Sequence, residues 1–333
     1  MSSTTPSRAL RARSPLTLLA LLVAAPVLAQ HVPFERTFRV PAGAVLDVQT
    51  ERGRIDVSAG ATDQVIVRGT ATVRVGFTVP ANALELARQV AANPPVTQDG
   101  ATIRLRPPTR EDEQRAVTIS YRVIVPAATE VRSETGSGAT SIGGVKGPVT
   151  VTSQSGAVDL DRLGGSAVVK GSSGAVKVDG VAGDLEVRTQ SGGLTLGGLG
   201  GGLRLRTQSG GVEVGFARDA RGVCDVETSS SSITLAGVRD GLSVVSNSGR
   251  VRVSGTPGAP WTVGVGSSSI ELSIDQMVPL RLDASSGSGD VYVTGRTLDG
   301  ASATQGSVSG TLGGGGPLVR ASTRSGAVKV ALR

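Results

Sequence analysis

The residues best equipped for chemistry are serines, and they come at a fixed spacing. Ser155, Ser173, Ser191, Ser209 and Ser248 are each followed by glycine and then by a short run of alternating apolar residues. A serine set in a glycine turn is one way to present a nucleophile, but a nucleophile needs a base beside it and occurs once per site. Here the words SQSGAVDL, GSSGAVKV, TQSGGLTL and TQSGGVEV start 18 residues apart, at Ser153, Gly171, Thr189 and Thr207. TSSSSITL follows from Thr228 and SNSGRVRV from Ser246. Repetition on this scale points to a corner that is rebuilt each time, with glycine at positive φ and the hydroxyl bonded to turn backbone.

The other reactive side chains do not assemble into a site. His31 is the single histidine, and no Ser-His-Asp set or zinc cluster is built on it. Cys224 is the single cysteine; it excludes an intramolecular disulfide and falls where small core residues fall. Trp261 occupies the same phase, which favours core over a sugar-stacking platform. Carbohydrate lyases and hydrolases need clustered carboxylates. Asp159 and Asp161 share a rung, with no acid expected at the matching places above or below, and Asp179 and Asp184 fall nearer a corner. GSGDVYV from Gly287 shares residues with a calcium-repeat nonapeptide, but it occurs once and such sites need tandem copies. No catalytic, cofactor-binding or metal-ligating residue is therefore assigned, and no cofactor is implied.

The elements that carry these residues follow from the apolar phase. From Glu130 onward, inward positions recur at offsets 0, 2, 5, 9 and 11 of each repeat, as in Val158, Leu160, Leu163, Ala167 and Val169. Alternation at 0 and 2, and again at 9 and 11, gives two short strands per rung, with offset 5 in the bend between them. Like positions then stack on like positions, about 4.8 Å apart in parallel register. The fold class expected is all-β: a parallel β-solenoid of roughly 18-residue rungs, right-handed by the crossover rule. With 47 glycines and 2% aromatic residues in 333, tight turns replace a wide globular core.

The rhythm fails in three places. Residues 70–130 contain an expected strand over Thr72–Val79, a short helix over Ala83–Ala92 stopped by Pro94 and Pro95, a strand over Ala101–Arg106, a charged turn over Pro107–Arg115 and a strand over Val117–Val125. This stretch reads as a cap on an open solenoid end, with a binding loop as the alternative. A three-residue insertion precedes Gly222, and a glycine-rich segment runs from Leu298 to Pro317.

Residues 1–29 read as a secretory signal, with Arg8, Arg11 and Arg13 before the apolar run Leu16–Leu28 and a cleavage site after Ala29. An uncleaved anchor is the alternative. Residues 30–333 form a single β-solenoid domain, irregular over 70–130 and regular over 131–333. The formal charge is +7, and about +4 once the three signal arginines are gone, which is no nucleic-acid footprint.

ISYRVIVPAATEVRSETGSGATSIGGV, followed by T-x-S-G-x-V-x-V words, resembles the bacterial DUF4097 family of candidate adhesins. VLDVQTERGRIDVSAG resembles its N-terminal word, so the resemblance runs from about Phe34 to Arg333. It implies an exported β-solenoid and supplies no catalytic residues. The expectation is a non-enzymatic adhesin or structural protein in the periplasm, on the cell surface or secreted. Its partner would be an unknown envelope protein or glycan, with no nucleic acid, no stable transmembrane anchor after signal cleavage, and possible self-association through the solenoid ends. A carbohydrate-active enzyme and a self-assembling envelope scaffold are the alternatives.

Overall fold

The computed structural model describes residues 31–61, 63–74, 80–275 and 277–333. The expected signal segment and the last five residues of the strand expected over Thr72–Val79 lie outside them. Among the described residues, fourteen strands form one sheet and fifteen form a second. Each regular rung contributes one strand to each. Val149–Ser153 lies in the second sheet, the corner at 154–157 turns the chain over, and Val158–Leu163 lies in the first. A second corner leads to Ala167–Gly171, back in the second sheet.

The register follows from the apolar phase. Val149 pairs with Ala167 and Val151 with Val169, while Val158 pairs with Val176 and Leu160 with Val178, all in parallel. Every inward aliphatic of these rungs is buried, so the two sheets close on a thin core of stacked Val, Leu and Ile. A one-residue slip would turn each row out to water, and this holds the stack in register. Leu163, at offset 5, ends its strand and pairs with Val181, so the first-sheet strand runs further than the bend expected there. The insertion before Gly222 is absorbed at a corner, after which Cys224 pairs with Leu203 in phase.

The stack follows chain order only in its middle. The last rung, Leu318–Ser325 with Val328–Leu332, is not the outermost. It lies between the rung of Trp261–Ser267 with Ile270–Ile274 and the rung of Leu280–Ser286 with Val291–Thr294. The N-terminal end shows the same device. Val45–Thr50 and Ile55–Gly60 pair on one side with Glu130–Thr135 and Thr140–Gly143, and on the other with Thr102–Leu105 and Val117–Pro126. The reason is apolar area. Val319, Ala321, Val328 and Val330 are fully buried and need neighbours on both sides, whereas Val291 and Val293 are only half-buried and tolerate the outside.

Antiparallel strands close the N-terminal end of both sheets and the C-terminal end of the second sheet, while the first sheet ends on the parallel strand Val291–Thr294. At the N-terminus, Gln64–Val73 pairs with Val117–Pro126, and His31–Arg39 pairs outside it. Phe34 and Tyr121 both sit opposite Gly69, and the Phe34 ring fills the space where a Gly69 Cβ would stand. The helix Ala83–Ala92 forms as expected and packs Leu86, Ala87 and Val90 against this end. The charged turn over Pro107–Arg115 holds a second, shorter helix, Glu111–Ala116, which Arg115 and Glu111 brace with an ion pair one turn apart. At the C-terminus the glycine-rich segment folds into the hairpin Asp299–Thr304 and Ser307–Leu312, laid antiparallel on Leu280–Ser286.

Candidate functional site

The Ser-Gly corners are structural, and where the residue two places before the serine carries a hydroxyl it matters as much. Thr189 Oγ1 donates to the Ser191 carbonyl at 3.1 Å, Thr207 Oγ1 to that of Ser209 at 3.1 Å, and Ser246 Oγ to that of Ser248 at 2.9 Å. These hydroxyls are buried and tie each corner to its own strand. The corner serines are exposed or half-buried and reach backwards instead. Ser191 Oγ approaches the Ser172 carbonyl at 3.5 Å, and Ser230 and Ser248 share a 2.9 Å hydroxyl contact between rungs. The T of T-x-S-G was visible in the sequence, but its inward phase marks it as a polar member of the core, which the emphasis on Ser-Gly missed. His31 is far from these corners. Its Nδ1 lies 2.9 Å from Thr72 Oγ1 on the outermost N-terminal strand.

Cys224 and Trp261 both sit in the core, as their phase implies. Burial pushes the Cys224 thiol up to about 12, with a smaller contribution from Asp225. Trp261 is fully buried and its Nε1 donates to the Asp240 carbonyl at 2.8 Å.

The carboxylates correct the sequence reading. Asp161 does have an acid beside it: Asp179 is its register partner on the next strand. The expectation failed because Asp161 is the second outward position of its strand, not the first, and that row was not followed between rungs. Asp161 pairs with Arg162 at 2.6 Å, while Asp159 lies beside Lys177. Asp184 Oδ1 accepts from the Gly202 N–H at 2.8 Å and so serves a corner. Among the described residues, no group of three or more His, Cys, Asp or Glu side chains could hold a metal ion.

The outer face of the first sheet has a hollow at the C-terminal end, a trough of about 820 Å³. One wall is a row of register partners running Arg252, Glu271, Lys329 and Tyr292. The floor beside it is the row Ser254, Ser273 and Ala331. Arg252 Nε donates to Glu271 Oε2 at 2.8 Å, and this bond, with the charges of Arg252, Arg250 and Lys329, holds Glu271 below its ordinary range. Tyr292 is half-exposed, and its hydroxyl donates to Asp290 Oδ2 at 2.8 Å.

Two parallel sheets joined rung by rung, with in-register polar rows outside and no assembled reactive centre among the described residues, define a β-solenoid. The Toastrack DUF4097 family matches residues 117–237 and 203–331, which together are well over half of the chain. The chain belongs to that family. A candidate cell-adhesion protein from Clostridium sporogenes is similar at 10% identity, covering 91% of this chain and all of its own, with a TM-score of 0.19. A candidate adhesin from Bacteroides fragilis is similar at 11% identity, covering 91% of this chain and 97% of its own, with a TM-score of 0.34. The fold rests on the strand register, not on either of these. Among curated proteins none matches.

Proposed function

We propose that this chain is an exported, non-enzymatic adhesive solenoid of the bacterial envelope. The observation that carries the reading is the repetition of outward side chains at strand spacing along both sheets. Fourteen strands at about 4.8 Å give a face roughly 60 Å long. A rigid face with many similar small contacts suits weak multivalent attachment, in which each contact adds to the effective concentration of the next. Export is supported by the basic and apolar segments within residues 1–29. No helix among the described residues is long and apolar enough to cross a membrane.

Fractionation of producing cells, with N-terminal sequencing of the exported chain, tests the location. A chain starting at Gln30 outside the cytoplasm is expected; retention of residues 1–29 would contradict cleavage there. Retention of the purified chain on whole bacterial surfaces tests adhesion, and washing through without retention would overturn that part.

A further inference from the structure

We propose that the trough at the C-terminal end of the first sheet binds an acidic oligosaccharide, a sugar chain carrying carboxylates. The proposal rests on the adhesive reading and names its ligand class. The chain holds four Phe, two Tyr and one Trp, and Tyr292 is the exposed large aromatic among the described residues. Its hydroxyl is held by Asp290, so the ring is fixed at the rim rather than free to swing. A fixed, half-exposed ring costs little ordering when a flat sugar face stacks on it.

The charge around the ring is unbalanced. Arg252, Lys329 and Arg333 line the trough, where Glu271 is the acid on the wall, paired with Arg252 and at 3.9 Å with Arg250 from outside it, and Asp290 is engaged by Tyr292. Guanidinium groups match carboxylates in fork geometry. The Ser254, Ser273 and Ala331 floor is made of small side chains, which leaves an open, shallow slot in which the two serine hydroxyls can meet sugar hydroxyls.

The fold builds this site by its out-of-order rung. Lys329 belongs to the last strand of the chain, yet it stands between Glu271 and Tyr292 because that strand is inserted between theirs. Four strands that are not in chain order therefore supply one wall. The row reads cation, anion, cation, aromatic at one residue per strand.

The test is calorimetric titration of the chain spanning 30–333 with a galacturonic acid hexamer, a neutral cellohexaose and dextran sulfate. Saturable binding of the uronate is expected, with cellohexaose at least ten-fold weaker. Tyr292→Ala and Lys329→Glu should each weaken uronate binding at least ten-fold, Tyr292→Phe, which keeps the ring but frees it from Asp290, should weaken it less than Tyr292→Ala, and Lys170→Glu on the opposite sheet should leave it unchanged. Equal unfolding midpoints identify variants that are folded, and Lys329→Gln replaces Lys329→Glu if that one is not. Uronate binding that survives both Tyr292→Ala and Lys329→Glu overturns the site and leaves the adhesive reading intact. Equal binding of dextran sulfate, insensitive to Tyr292→Ala, overturns it in favour of simple charge attraction. No uronate binding overturns it outright, and surface retention of the whole chain then judges the adhesive reading separately.

Discussion

Gly192 and Gly210 show what one corner demands of a residue. Their φ values are +127° and +118°, and a Cβ at either would stand 2.1 Å from the carbonyl oxygen of the corner below. Neighbouring Gly193 and Gly211 face open space. Gly210→Ala should therefore lower stability by more than about 2 kcal/mol, whereas Gly211→Ala should change it by less than about 1 kcal/mol. Urea unfolding of the pair reads the contrast. The reverse case is Arg162, a non-glycine at φ +47° where the rungs on either side carry Gly144 and Gly180. Arg162→Gly should stabilise by roughly 1 kcal/mol by removing that strain. Inside the stack, Ser133 Oγ and Thr140 Oγ1 are buried without a hydrogen-bond partner. They sit where adjacent rungs have Val48 and Val151, and Ile55 and Val158. Thr140→Val keeps the shape and removes the stranded hydroxyl, so the unfolding midpoint should rise, by about 1 kcal/mol in stability. The Cys224 thiol adds a pH dependence. Its pKa is raised on folding from 9.0 to about 12, chiefly by burial. Its contribution is complete below the unfolded value and is lost as pH climbs through the folded one. Stability should decline between pH 9 and 12, less steeply in Cys224→Ala, as alkaline denaturant titrations would show.

At the scale of strands, the inserted last rung makes an unusual claim about order in time. Chain termini normally fray first. Here Val328–Leu332 is flanked by strands on both sides, while Val291–Thr294 has a neighbour on one side only. Amide exchange should find Val328–Leu332 as slow as the central rungs and Val291–Thr294 faster; the opposite ranking would contradict the insertion. Removing residues 317–333 should release 280–312 to proteolysis while 131–274 stays resistant. The regular rungs were legible because burial enforces one apolar phase, so Val158, Leu160 and their equivalents announce themselves. The helix Ala83–Ala92 was legible from its own periodicity and the prolines behind it. The order of the terminal rungs was not, because Val328 and Val291 carry the same local pattern and only the packing of whole rungs decides which lies outside. The neighbouring acids Asp161 and Asp179 could have been found by following the second outward row. The trough could not, since its wall joins residues 252, 271, 292 and 329 through that same hidden order.

For the whole molecule, closure of the ends bears on assembly. His31–Arg39 carries Pro33, Glu35, Arg36 and Arg39 along the N-terminal edge of the first sheet, which discourages pairing with another strand. Exposed hairpin strands flank the second sheet at both ends. The short strand Val291–Thr294 is the weakest guard. A filament needs complementary open edges at both ends, and a single open edge can give at most a closed pair. Light scattering should show no filament growth with concentration. The exposed ion pairs between rungs, such as Arg206 with Glu227 at 3.0 Å and Arg320 with Asp283 at 3.0 Å, contribute about 0–1 kcal/mol each and lose it to salt. Stability should therefore depend weakly on ionic strength, because the buried aliphatic rows carry it. On the proposed function the solenoid attaches without transforming what it holds. Incubating the chain with an envelope or plant polysaccharide that retains it, and then following the polysaccharide by mass spectrometry, tests this. Stable retention is expected, with the chain-length distribution unchanged. Progressive shortening, abolished by a single change such as Asp161→Asn or Asp179→Asn, would contradict it.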